Sequence, residues 1–80
     1  MQAIFVQVKC ELGKAYDVAR TMVDTIDQVS EVYSTSGQYD LLVKCYLPAD
    51  QDVGRFVTGD LQVLPGVKDT YTIITYNAFT

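Results

Sequence analysis

Val29-Ser30-Glu31-Val32-Tyr33-Ser34-Thr35-Ser36-Gly37-Gln38-Tyr39-Asp40-Leu41-Leu42-Val43-Lys44-Cys45-Tyr46-Leu47 reads as two strands joined by one tight reversal. Val29–Ser36 is rich in β-branched residues and tyrosine, and Leu41–Leu47 alternates with the period of two that a pleated strand imposes. Only Gly37-Gln38-Tyr39-Asp40 separates them, which is too short for anything but an antiparallel hairpin. In the second strand Leu41, Val43, Cys45 and Leu47 form one wholly apolar face, and Leu42, Lys44 and Tyr46 point the other way.

Working outward, Gln2–Cys10 repeats that division. Ile4, Val6, Val8 and Cys10 form an apolar face, and Phe5, Gln7 and Lys9 a mixed one. Gly13 breaks the alternation, and Ala15, Val18, Ala19, Met22 and Ile26 follow at helical spacing. Beyond the hairpin, Pro48 stops the strand and Asp50 is the expected N-cap of a second helix. Its stripe of Val53, Phe56, Val57, Leu61 and Leu64 ends at Pro65-Gly66. Gly54 and Gly59 lie off that stripe. Val67–Phe79, dense in Thr, Tyr and Ile, is expected to be the closing strand. The order βαββαβ with right-handed crossovers gives two interleaved split βαβ units. The result is an α+β fold with a four-stranded antiparallel sheet, strands one and three central and both helices on one face.

The other face then carries Phe5, Gln7, Tyr33, Leu42, Lys44 and Tyr46, with Lys9 and part of the last strand. This mixture is too apolar for an ordinary solvated surface, so it is expected to be an interface between copies. The plainer alternative is a wet face with long side chains folded over its rings.

Eighty residues support one domain and one core, with a thin stability margin that self-association would relieve. Cys10 and Cys45 lie near opposite ends of the neighbouring strands, ~15 Å apart at ~3.4 Å per residue. That exceeds the ~7 Å limit for a disulfide, so both are read as buried free thiols. Neither has a second ligand at metal spacing, and no metal or cofactor is expected. The net charge of −4 and the absence of a Lys/Arg cluster argue against direct nucleic-acid binding. Met1 leads straight into the first strand and no apolar run approaches ~18 residues, so a soluble, cytoplasmic protein without membrane contact is expected.

Chemistry finds little footing. The chain has no histidine, so the usual base for a nucleophile is missing. Asp17, Asp24, Asp27, Asp50, Asp52 and Asp60 fit solvated surface and cap positions better than a catalytic pair. No catalytic residue is assigned. The reversal at Gly37–Asp40 is the best binding candidate. Gly37 permits a positive φ and leaves peptide groups accessible, Asp40 is an acceptor for an ammonium group, and Tyr39 is an apolar wall with a polar tip. Thr70 and Thr72 place two hydroxyls on one side of the last strand. Taken alone, both features are also ordinary hairpin and edge-strand composition.

The hairpin sequence, with its V-x-E-V-Y and G-x-Y-D-L-L-V-K elements, and Leu64-Pro65-Gly66-Val67-Lys68-Asp69-Thr70-Tyr71-Thr72 together resemble the effector-binding domain of the Lrp/AsnC transcriptional regulators. That domain is also called the regulation of amino-acid metabolism (RAM) module. The resemblance spans essentially the whole chain. It implies a ferredoxin-like fold, two copies packed sheet to sheet as a dimeric α+β barrel, and dimers assembled into a ring, most often an octamer. It also implies an amino-acid effector held between dimers by Gly37, Gln38, Tyr39 and Asp40, with Thr70 and Thr72 as further members. Regulators of the family carry an N-terminal helix-turn-helix domain. This chain starts immediately before the first strand and resembles a stand-alone form, expected to act through a full-length Lrp/AsnC relative or another protein. Two other classes fit the sequence less well. A dimeric ferredoxin-like enzyme of the monooxygenase or isomerase type is opposed by the lack of His and Trp and the single Asn77. An RNA-recognition fold is opposed by the acidic balance.

Overall fold

Alternate residues of the first strand, β1 (Gln2–Cys10), are fully buried, and this strand lies inside a four-stranded sheet. A computed structural model describes residues 1–80. After β1 come α1 (Ala15–Thr25), β2 (Val29–Ser34), β3 (Leu41–Leu47), the short α2 (Val53–Phe56) continuing as a π-helical segment (Val57–Leu61), and β4 (Val67–Ile74). The strand order is β2-β3-β1-β4, with every neighbouring pair antiparallel. Strands one and three are central, as the sequence pattern requires. The fold is ferredoxin-like α+β.

Fourteen side chains are buried and all are apolar. Ile4, Val6, Val8 and Cys10 meet Leu41, Val43, Cys45 and Leu47 on one sheet face, where Val18 and Met22 of α1 and Phe56, Val57 and Leu61 cover them in one cluster. Both helices therefore share that face. Positions that alternate in the sequence alternate in burial, because the pleat sends successive side chains to opposite sides.

Four element boundaries differ from the sequence expectation. The second strand ends at Ser34, not Ser36, because the reversal begins at the exposed Thr35. Its amide donates to the Asp40 carbonyl (2.9 Å) and its hydroxyl to the Tyr39 carbonyl (3.0 Å). Asp50 is not the N-cap. The amide of Gln51 donates to the Pro48 carbonyl (3.0 Å), which closes a turn through Asp50, and Asp52 caps instead, its carboxylate accepting from the Arg55 amide (3.0 Å). The second helix widens after Phe56, with the Gln62 amide reaching back five residues to the Val57 carbonyl (2.8 Å). The last strand stops at Ile74, not Phe79. Ile74 pairs with Ile4, so β1 has only Gln2 and Ala3 left beyond it, and at Ala3 the Thr75 hydroxyl takes the carbonyl.

Gly66 joins the second helix to β4 with φ +91°. A methyl group there would lie 2.9 Å from Val18 Cγ2 and 3.2 Å from Lys14 Cβ. Its carbonyl accepts from the Glu11 amide (2.8 Å), which ties this loop to the chain just past the end of β1.

Both cysteines are buried and free. Burial pushes the Cys45 thiol up from the usual value near 9 to about 11. The unfolded chain therefore ionises first. The stability contributed by the protonated thiol is full below about pH 9 and declines as the pH rises towards 11. Thermal unfolding at pH 8 and pH 10.5 should show a larger loss for the native chain than for Cys45→Val. Equal losses would count against the buried thiol as the cause.

Candidate functional site

Pairing register divides the candidate residues between two surfaces. Phe5 pairs with Lys44 and Ile73, Gln7 with Leu42 and Tyr71, Leu42 also with Tyr33, and Ala3 with Tyr46. Directly paired residues share a face, so Phe5, Gln7, Tyr33, Leu42, Lys44 and Tyr46 all lie on the face without helices, together with Tyr71 and Ile73. Tyr33, Tyr46, Tyr71 and Ile73 are exposed there. A bulge in β2 between Val29 and Glu31 aligns Glu31 with Lys44 on the same face.

Lys44 organises the middle of this surface. Its Nζ lies 5.1 Å from the Tyr46 ring centre, 5.9 Å from that of Phe5, and 4.0 Å from Glu31 Oε1. The Tyr46 side chain, ahead of the Glu31 charge, holds the ammonium above its usual pKa. Glu31 in turn accepts a hydrogen bond from the Tyr33 hydroxyl and raises that phenol's pKa. The open face is thus an aromatic and aliphatic surface with the Lys44–Glu31 ion pair set among its rings.

The reversal lies at the end of β1. Gly37 takes φ +103°, a conformation that side chains oppose. Asp40 is half-buried, and its Oδ2 accepts from the Cys10 amide at 2.7 Å, while the Gln38 carbonyl accepts from Lys9 Nζ (3.2 Å). The Asp40 carboxylate is therefore fixed, though by the protein's own backbone. Burial, and secondarily the Asp40 charge, raises the Cys10 thiol's pKa. Beside Asp40 opens a groove of about 280 Å³ walled by Cys10, Glu11, Leu12, Gly13, Ala15 and Tyr16. The sequence reading passed over Leu12 and Tyr16. Leu12 is wholly exposed and Tyr16 largely so. A large aliphatic residue in a loop beside a glycine was the available signal.

Thr70 and Thr72 are not brought to the same place. Val8 pairs with Leu41 on one side and Thr70 on the other, and Val6 pairs with Thr72. The threonines therefore lie on the helix-covered side, across β1 from the turn, and the Thr70 hydroxyl accepts from Gln62 Nε2 (2.8 Å). One bridge does cross β1, where Tyr39 and Tyr71 sit with ring centres 6.3 Å apart. Within a single chain the six candidate ligand residues thus form two separate groups. No helix is long and apolar enough to cross a membrane.

A family model described as the Lrp/AsnC ligand-binding domain matches residues 3–80. The chain belongs to this family. Among curated relatives, the HTH-type transcriptional regulator FL11 of Pyrococcus abyssi is 33% identical to this Lrp/AsnC domain over 70 residues, covering 88% of the chain and 45% of the regulator. The domain thus spans about half the length of the curated relatives it matches. Among solved structures, FFRP-DM1 superposes with a TM-score of 0.87 at 28% identity, covering 95% of this chain and 100% of that one. The transcriptional regulator NMB0573 of Neisseria meningitidis, crystallised as a complex with L-Met, shares the fold at 18% identity and a TM-score of 0.84. That match covers 99% of this chain and 52% of the regulator.

Proposed function

We propose that this Lrp/AsnC domain is an oligomeric effector-binding module that takes an amino acid at the Gly37–Asp40 turn and regulates transcription or metabolism through partner proteins. The observation that carries the binding reading is the half-buried Asp40 carboxylate, held at the end of β1 beside an open groove. One oxygen is engaged by the Cys10 amide and the other remains for a ligand ammonium. The family's description as a ligand-binding domain and the L-Met complex of its fold relative support the same chemistry. Thr70 and Thr72 would complete the site from another copy, since within one chain they are across β1 from the turn. The dimer pairs through the open sheet face, and dimers close into a ring, an octamer by family resemblance. A full-length Lrp/AsnC regulator in the cytoplasm is the partner we favour. A ligand-binding family favours binding over catalysis, and no observation favours the enzymatic reading.

Thermal shift against the twenty amino acids tests this directly. A ligand at 100 times its Kd adds about 2.7 kcal/mol, a shift of several degrees for a domain this small. No shift with any of them would overturn the amino-acid reading.

Asp40 needs a graded pair of variants, because its carboxylate also supports the fold. Asp40→Ala leaves the Cys10 amide without its acceptor and should cost about 1–3 kcal/mol. Asp40→Asn keeps an acceptor oxygen, so it should lose less stability while losing the ligand response. A full response in Asp40→Asn would place the ammonium elsewhere.

A further inference from the structure

Past Ile74 the chain continues as Thr75-Tyr76-Asn77-Ala78-Phe79-Thr80. The Thr75 hydroxyl anchors its root by donating to the Ala3 carbonyl. No backbone hydrogen bond holds residues 76–80, and Tyr76 and Phe79 each expose 95% of their surface. Between this arm, whose Tyr76 and Asn77 form one wall, and the nearby end of the open face, whose Phe5, Lys44 and Tyr46 form the other, is a groove of about 670 Å³. Two bare aromatic rings beside an aromatic-walled groove leave apolar surface in water on both sides.

We infer that the arm is a clasp between copies, in which Tyr76 and Phe79 of each chain seat in the open-face groove of a second copy. This inference rests on the sheet-to-sheet pairing proposed above and specifies what completes it. Three arguments select a second copy as occupant. The groove is continuous with that face. In a two-fold pairing the contact counts twice, since an arm that reaches the other copy's groove receives that copy's arm in its own. The dimensions also agree: five extended residues reach roughly 16 Å at ~3.3 Å each, and four strands at ~4.8 Å spacing are about 14 Å across. Four aromatic rings from two arms, at roughly 150–250 Å² each, would supply a large share of the ~1,600 Å² typical of a stable interface.

The test uses the full chain carrying Tyr76→Ser and Phe79→Ser together. Sedimentation should show the dimer's Kd weakened by at least about 100-fold, as expected when paired aromatic anchors are lost. The far-UV spectrum should be unchanged, because neither ring belongs to the chain's own core. A second variant, Phe79→Trp, should show a blue shift of indole emission that tracks dimer formation as concentration rises. An unchanged Kd, or emission independent of concentration while the protein dimerises, overturns the clasp alone. A native chain that stays monomeric at every concentration overturns the pairing reading and the clasp with it.

Discussion

Phe56→Ala should destabilise the domain by about 3–5 kcal/mol, the range for emptying a buried phenylalanine site. Phe56 is 2% exposed and is the largest side chain in the core. It sits at the point where α2 passes into the π-helical segment, so the helix around it cannot easily close over the gap. An 80-residue domain holds roughly 4–12 kcal/mol in total, so the variant would lose about a quarter of that or more. Urea unfolding at fixed protein concentration measures it. A loss below about 1 kcal/mol would mean that the second helix contributes far less to the core than its burial indicates.

Leu42→Asp should have an equally large effect on association and little on the isolated chain. Leu42 pairs with Gln7 on one side and Tyr33 on the other, at the middle of the open face. In a monomer the new carboxylate would be solvated. In a two-fold pair it would be buried twice, at several kcal/mol per charge. The dimer should weaken by more than about 1,000-fold, with Leu42→Met close to native. Sedimentation equilibrium distinguishes the outcomes, and a Leu42→Asp dimer of native affinity would remove this face from the interface.

The two faces were legible because strand periodicity is strict and the core strands are uninterrupted. Ile4, Val6 and Val8, and Leu41, Val43 and Cys45, could not all be buried on one side without exposing Phe5, Leu42 and Tyr46 on the other. Boundaries were less legible because they depend on competition between neighbours. Asp50 and Asp52 are equally good caps in sequence, and the turn at Pro48–Gln51 decides between them. The closing strand's end depends on where β1 begins, which lies seventy residues away in the chain. The candidate site was legible as a turn but not as an arrangement. The bond from the Cys10 amide to Asp40 follows from the register of β1 against β3, and the separation of Thr70 and Thr72 from the turn follows from the register of β1 against β4. Neither register is written in local composition.

The fit of Gly66 against Val18 and Lys14 sets a limit on how this chain can vary. A side chain at that position meets both a disfavoured φ and the first turn of α1 at less than van der Waals distance. The two glycines of the second helix, Gly54 and Gly59, meet only ordinary contact or open space. In a library selected for stable folding, position 66 should be recovered almost solely as glycine. Gly54→Ala and Gly59→Ala should each gain up to about 1 kcal/mol from helix propensity. Three glycines within thirteen residues would then show opposite mutational tolerance, with drift permitted along the helix and arrested where its exit loop touches α1.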